Sequence, residues 1–414
     1  MTELDLFSDV PAQSEMVVFE PTRVAGLERL EKFAARTGTH YATQRNYDYG
    51  VMHRSSVSAL SPWIRHRLIT EEEVLKQTLA HHSPSAAMKF IQEVFWRGYF
   101  KGWLEQHPSV WTHYQSALQA ALETLETDAA RNLDYSDAIA GRTGIACFDH
   151  WCRELETTGY LHNHTRMWFA SIWIFTLRLP WELGADFFLR HLIDGDPASN
   201  TLSWRWVGGL HTKGKTYLAR TSNIAKYTNG RFEPTGQLAT YADPLIEGCE
   251  HTFVPLVALK SQAPDTHLLL ITPEDCHFKN GKTGSPVGVI GLVGASLSEQ
   301  SDRVTTFQKG AVEDAVKRSN AAGETYVRGT IWAKTIIDAA ASAGTKDVVT
   351  SWAPIGPTAS NLTAARPHLE RAGIRLHQVH RAYDRHTWPH TSKGFFKLKK
   401  KIPTILSELE LSTT

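Results

Sequence analysis

Cysteine is scarce: the 414 residues hold four, Cys147, Cys152, Cys249 and Cys276, none in a Cys-x-x-Cys pair. That spacing argues against zinc and against a disulfide scaffold, so no metal is expected. Net charge is nearly absent as well, since 44 Lys and Arg against 43 Asp and Glu leave +1. A global basic footprint for nucleic acid is thereby excluded, and any such contact falls to a local basic face. Runs of about eighteen apolar residues are missing, so no membrane span is expected. The acidic start MTELDLFSDVP has no charged-then-apolar leader pattern, and a cytoplasmic location is the default expectation. No Gly-x-Gly-x-x-Gly follows a strand-like run, which removes the usual dinucleotide fingerprint. Long internal repeats are lacking too.

What is there reads as a globular chain, with 42% hydrophobic and 21% charged residues, long enough for two domains. Thirteen tryptophans are many, and they concentrate before residue 210. Between 24 and 235 the segments GLERLEKFAART, EEEVLKQTLAHH and AAMKFIQEVFWRGYFKGWLEQH repeat apolar residues at three- and four-residue steps, which predicts helices. Thr70-Glu71-Glu72-Glu73 and Ser83-Pro84-Ser85 supply helix-start chemistry. From 238 to 405 short apolar runs at 267–271, 287–293, 347–352 and 374–379 alternate with helical patterns. Two of those helices end in Ala-Gly before the next run, which predicts glycine caps leading into parallel strands. The fold class expected is mixed: an all-α domain (24–235) followed by an α/β parallel-sheet domain (238–405). The lysines of GFFKLKKKIP read as a solvated face.

The densest chemistry lies in LIDGDPASNTLSWRW, where Asp194, Asp196, Asn200, Trp204 and Trp206 follow an apolar helical run. Carboxylates buried there cost several kcal/mol per ion, on the order of 5, unless cations or strong donors meet them. The pattern therefore points to a polar ligand. Upstream, GYLHNHTRMWFASIW places Asn163 and Arg166 on an otherwise apolar helix. Glu93, Trp96 and Arg97 in EVFWRGYF share one helix face; a surface Glu–Arg pair beside a core tryptophan is the plain alternative. The loop RSSVSALSPWI offers hydroxyls and backbone N–H groups suited to a pyrophosphate, or, more plainly, a capped helix start.

Together these segments resemble the flavin domain of the DNA photolyase/cryptochrome family. The resemblance rests on RSSVSALSPWI, EVFWRGYF, GRTGIACFDHWCRELETTGYLHNHTRM and LIDGDPASNTLSWRW, and implies an all-helical domain binding bent FAD. It implies cofactor contacts from Tyr41, Ser58, Leu60, Ser61, Arg97, Asn163, Arg166, Asp194, Asp196 and Asn200, with Arg166 paired to Asp194 over the isoalloxazine ring. Glu93, Trp96, His164, Met167 and Trp206 take the places of substrate contacts. Trp204 and Trp181 match the first two tryptophans of the photoreduction chain. Counting back to the third reaches Asp128, which leaves Tyr135, Trp151 or Trp173 for the electron's exit. Val57 stands where a Thr is usual, Gly98 where an acid is usual, and His164 where an arginine touches DNA. The order is also exchanged: in the family the α/β domain comes first.

The activity this resemblance implies is light-dependent splitting of cyclobutane pyrimidine dimers by electron transfer from reduced FAD, catalysed with Glu93, Asn163, Asn200, Trp204 and Trp181. Its partner is UV-damaged DNA, and the near-zero net charge favours single strands, where flipping the dimer costs little. Arg54, Lys101, Arg220 and Lys226 are candidate phosphate contacts, and a monomer is expected. The alternative is a cryptochrome-like blue-light photoreceptor without repair activity.

Overall fold

Helix-start chemistry shapes the first half of the chain. In the computed structural model, which describes residues 16–258, 262–277, 285–294, 298–319, 325–328 and 332–411, Thr70 and Glu73 form a reciprocal capping box on the Glu71–His81 helix. Ser83 accepts from Ala86 N to open the long Pro84–Glu105 helix. Against that helix pack Thr39–Gln44, Glu71–His81, Pro108–Thr127 and Pro197–Val207; Arg23–Ala34 lies on Glu71–His81, Trp181–His191 on Pro108–Thr127 and Pro197–Val207, and Asn163–Ser171 on Pro197–Val207 and Ala146–Thr158. Among the described residues no helix is long and apolar enough to cross a membrane.

The second half is an α/β unit. Five parallel strands, β1 (Thr266–Ile271), β2 (Ser285–Val293), β3 (Thr325–Arg328), β4 (Asp347–Ser351) and β5 (Arg375–Val379), lie in the order β3-β2-β1-β4-β5. Four match the apolar runs; β3, TYVR, is too short and polar to stand out as one. The Ala-Gly junctions behave as predicted. Gly344 and Gly373 take left-handed φ of 65° and 73°. Thr345 N donates to Ala340 O (3.0 Å) and Ile374 N to Leu369 O (2.9 Å), two copies of one cap.

Alternation along the strands sends the side chains into two cores. Leu268, Leu270, Ile290 and Leu292 join the Trp332–Ser342 and Pro357–Arg371 helices. Leu269, Ile271, Val289 and Val293 join one continuous cluster that also holds Leu30, Phe33, Trp63 and Phe95 of the helical half. The two halves therefore share a core.

Ions complete the junction. The chain reverses its strand order on either side of β1, and a parallel sheet usually offers its ligand crevice at such a point. Here Glu274 and Asp275, just past β1, face the helical half. Arg65 grips Glu274 with both nitrogens (2.7 and 2.8 Å), and Asp275 lies 3.7 Å from Arg67 and pairs with Arg381. His66 bridges the same junction, with Nδ1 2.6 Å from Pro273 O and Nε2 3.2 Å from Ile193 O.

The chain then returns to the helical half. Helices Ala382–Thr387, Phe395–Lys399 and Ile402–Glu408 follow β5, and the first two lie against Pro84–Glu105. Their approach explains Gly98: a Cβ there would sit 2.9 Å from Thr387 Cγ2 and 3.0 Å from Tyr383, and one on Gly102 2.6 Å from Thr391 Oγ1. An acid at 98, as the family carries, would collide with this return. Lys397, Lys400 and Lys401 are exposed, as the lysine run suggested.

His66 makes stability depend on pH. Burial, then the neighbouring Arg65, pushes its imidazole down to about 4, so the unfolded chain takes up a proton below about 6.5 that the folded chain refuses. Folded stability should fall as pH drops from about 6.5 toward 4 and then level, by on the order of 3 kcal/mol for this group. Urea unfolding across that range should show a smaller decline in His66→Gln; equal declines would contradict the assignment.

Candidate functional site

Four segments that are far apart in sequence meet at one buried carboxylate. Asp194, in the turn after the Trp181–His191 helix, receives Arg166 Nη2 on both oxygens at 3.0 and 2.9 Å. Arg166 sits on the Asn163–Ser171 helix, and its Nε donates to Leu161 O. Ser61 and Arg97 complete the group, with Arg97 Nη2 3.5 Å from Ser61 O. Burial pushes the Asp194 carboxyl up, but the Arg166 guanidinium, hydrogen bonds from Arg166 and Ser61, and then Arg97 outweigh it and hold it below the usual range. Asp194, Arg166, Arg97 and Ser61 are thus brought together as the motifs implied.

The Ser-rich loop meets them from one side. Leu60 is fully buried, and Ala59 holds a left-handed φ of 52°, a conformation that costs a β-carbon residue about 1–3 kcal/mol. Ser58 Oγ accepts from Leu60 N at 3.4 Å. The strained turn is anchored by Arg29, whose Nε donates to Ser58 O at 2.7 Å.

Asp196 has a different set of partners. It caps the Pro197–Val207 helix by accepting from Ser199 N (2.8 Å), with Lys101 Nζ at 3.4 Å and Arg65 Nε at 3.6 Å. Burial opposes its charge, but Lys101 and then Arg65 keep the carboxyl far below the usual range. The motifs did not name Arg65 or Glu274. A buried carboxylate's need for cations was the available signal, but not which cations would meet it. Asn200, one turn on, donates to Ala185 O at 2.8 Å.

Glu93 forms an ion pair with Arg45, and burial raises its pKa against the pull of that arginine. Tyr41 packs edge-on to Phe90 at 5.0 Å beside the same pair. Trp96 stacks on Phe395 of the returning segment, with centroids 3.8 Å apart and planes at 10°; that face of the indole is therefore covered. His164 is held by Asn46 O (3.1 Å) and Tyr217 Oη (3.2 Å) and stacks on Trp168. Asn163 is exposed and Met167 half-buried. Trp206 keeps 37% exposure and stacks on Tyr217. Tyr217 lines a cavity of about 500 Å³ with Arg220 and Asn223. Of the candidate phosphate contacts, Arg54 and Lys101 are corrected: both are buried and paired, to Glu154 (2.8 Å) and Asp196. Arg220 and Lys226 are exposed.

The aromatic positions are equally specific. Trp204 is buried, with its ring edge-on to Trp173 (6.2 Å), Phe188 (5.2 Å) and Phe169 (6.4 Å). Gly184 makes room for it, since a Cβ there would lie 2.3 Å from Trp204 Cη2. Trp173 in turn meets Tyr135 at 6.2 Å. Trp181 packs against Tyr114 at 5.5 Å.

These residues fit a flavin nucleotide. A guanidinium–carboxylate pair, hydroxyls on a strained turn and a second arginine converge. In addition, buried Trp204 Nε1 and His162 Nε2 find no hydrogen-bond partner among the described residues. Such groups cost about 1–3 kcal/mol each if left so, which gives the site capacity for further polar contacts. Asp194→Ala removes the anion that holds Arg166, and the purified variant should carry less than a tenth of the wild-type flavin, read from visible absorbance after desalting; retention of full flavin would contradict this role.

Comparison with known proteins covers Arg97, Arg166 and Asp194 of this site. Residues 90–245 match the model of the FAD binding domain of DNA photolyase. The deoxyribodipyrimidine photo-lyase of a Synechococcus species is 29% identical over 202 residues, covering 45% of this chain and 38% of that protein. The Escherichia coli enzyme of the same name is 28% identical over 215 residues, covering 50% and 43%. The chain thus spans less than half the length of these curated relatives. Among solved structures, a class III photolyase from Agrobacterium tumefaciens aligns with TM-score 0.43 and 23% identity, over 51% of this chain and 44% of that one. A Synechocystis cryptochrome aligns with TM-score 0.43 and 22% identity, over 52% and 45%.

Proposed function

We propose, for a chain whose helical half belongs to the DNA photolyase/cryptochrome family and takes FAD as its cofactor, that the protein repairs cyclobutane pyrimidine dimers in light. The observation that carries this reading is the convergence of Ser61, Arg97, Arg166 and Asp194, with Glu93 and Trp206 at the flanking positions. Bound FAD, in its reduced form, would supply the photoexcited electron for ring splitting. The protein's own work is electrostatic and geometric. Arg166, held by Asp194, sets a cation where extra negative charge on the cofactor is favoured. Glu93, held by Arg45, is the polar contact for a flipped dimer, and the half-exposed Trp206 is its apolar wall. Of the candidate phosphate contacts Arg220 and Lys226 stay exposed, and the near-zero net charge favours single strands as substrate.

For photoreduction the ring contacts support a route from Trp204 to Trp173 and out to Tyr135. Trp181, the family's second position, instead meets Tyr114, which continues to Trp111. Trp204→Phe and Trp173→Phe should each slow light-driven flavin reduction at least tenfold, while Trp181→Phe leaves it within about twofold; the reverse ranking would restore the family's route. A tenfold loss corresponds to about 1.4 kcal/mol on the barrier.

One observation favours the second reading, a photoreceptor without repair: Phe395 covers the face of Trp96. Blue light on reduced, flavin-loaded protein with UV-damaged oligothymidine separates the two. Recovery of thymine absorbance that drops at least tenfold in Glu93→Ala, with flavin retained, is the expected result. No recovery from wild-type protein carrying reduced flavin would discard the repair reading.

A further inference from the structure

A second constellation lies on the irregular segment between the Thr221–Tyr227 helix and β1. There Glu247, Cys249 and His251 lie against the start of the Pro108–Thr127 helix, which contributes Ser109 and His113. Cys249 Sγ is 3.6 Å from His113 Nδ1 and 3.9 Å from His251 Nε2. Glu247 lies 3.6 Å from His113 Nε2 and 3.1 Å from His251 Nε2. One ligand atom from each of His113, Glu247 and Cys249 falls within a 4.8 Å sphere of mutual distances.

Those separations have a physical meaning. Zinc bound tetrahedrally at about 2.3 Å from sulfur and about 2.0–2.1 Å from nitrogen sets S···N edges of roughly 3.5 Å. The Cys249–His113 distance of 3.6 Å is of that length, and the Cys249–His251 distance of 3.9 Å is somewhat longer. The remaining contacts resemble the outer hydrogen bonds that orient metal-bound histidines. His251 Nδ1 lies 3.0 Å from Ser109 Oγ, which as the N–H tautomer turns the Nε2 lone pair toward Cys249. His113 can present Nδ1 to an ion while its Nε2 donates to Glu247. Arg205, itself buried, pairs with Glu247 and fixes that carboxylate.

We propose that His113, Glu247 and Cys249, with His251 as fourth ligand or orienting partner, form a binding site for a borderline divalent metal, zinc by donor type. Paired-cysteine spacing cannot detect such a set, because Cys249 and His113 are 136 residues apart in sequence. The ion is a staple. It ties a stretch without regular structure to the Pro108–Thr127 helix and, through Glu247 and Arg205, to the Pro197–Val207 helix that carries Trp204 and Trp206. Val254 N already donates to Gln106 O (2.8 Å) along the same line.

The test uses full-length, flavin-loaded protein stripped with a strong chelator and titrated with zinc alone. About one equivalent should survive a weak chelating resin and raise the melting temperature. Cys249→Ser and His113→Ala should each lose that equivalent and the thermal shift while keeping wild-type flavin content, which separates loss of metal from loss of fold. Ser109→Ala should weaken binding by about tenfold, as orienting partners do. Cobalt should give a thiolate charge-transfer band in wild type that is missing from Cys249→Ser. Wild-type protein retaining no zinc, or both variants retaining it in full, would overturn the proposal.

Discussion

Buried charge holds the two halves of this protein together. Arg65 lies between Glu274 of the α/β half and Asp196 of the helical half, while Arg67 meets Glu71, Asp275 and Asp384. All of these side chains are nearly inaccessible. An ion taken from water into such a place costs several kcal/mol, on the order of 5, unless its partner is already in position. Neither half alone satisfies the set: Glu274 needs Arg65, and Arg67 needs Asp384 (2.7 Å) beside Glu71. The junction is therefore specific in register. A slip of either surface would strand a charge, and breaking one such pair typically costs about 3–5 kcal/mol.

Contact between the halves runs through the arginines, His66 and the shared apolar cluster, with no dependence on which half is first in the chain. The crevice past β1, where parallel sheets tend to receive small ligands, is filled by the helical half's own cations. The same segment that plugs it, Ser61–Arg67, begins at the hydroxyl turn of the candidate flavin site. Docking of the two halves and shaping of that site are consequently one event.

The returning C-terminal helices add a second constraint. Gly98 and Gly102 form a shallow seat on the Pro84–Glu105 helix for Tyr383, Thr387 and Trp388, and Phe395 then stacks on Trp96. Gly98 is opaque in the sequence alone. It becomes intelligible once the side chains of the returning helices lie against it, because a Cβ there would sit about 3 Å from Thr387 and Tyr383.

Local chemistry in the sequence determined the helices, their capping residues and four of the five strands, because periodicity and cap spacing act within a few residues. The residues grouped at Asp194 are named by resemblance to the family's motifs, since they come from segments far apart in the chain. Tertiary structure alone decided which cations meet Asp196, that Arg54 and Lys101 are buried in pairs, that Trp204 faces Trp173, and that Cys249 lies beside His113. Each of those depends on surfaces far apart in the sequence, or on the angle between two packed helices, and neither quantity leaves a periodic trace along the chain.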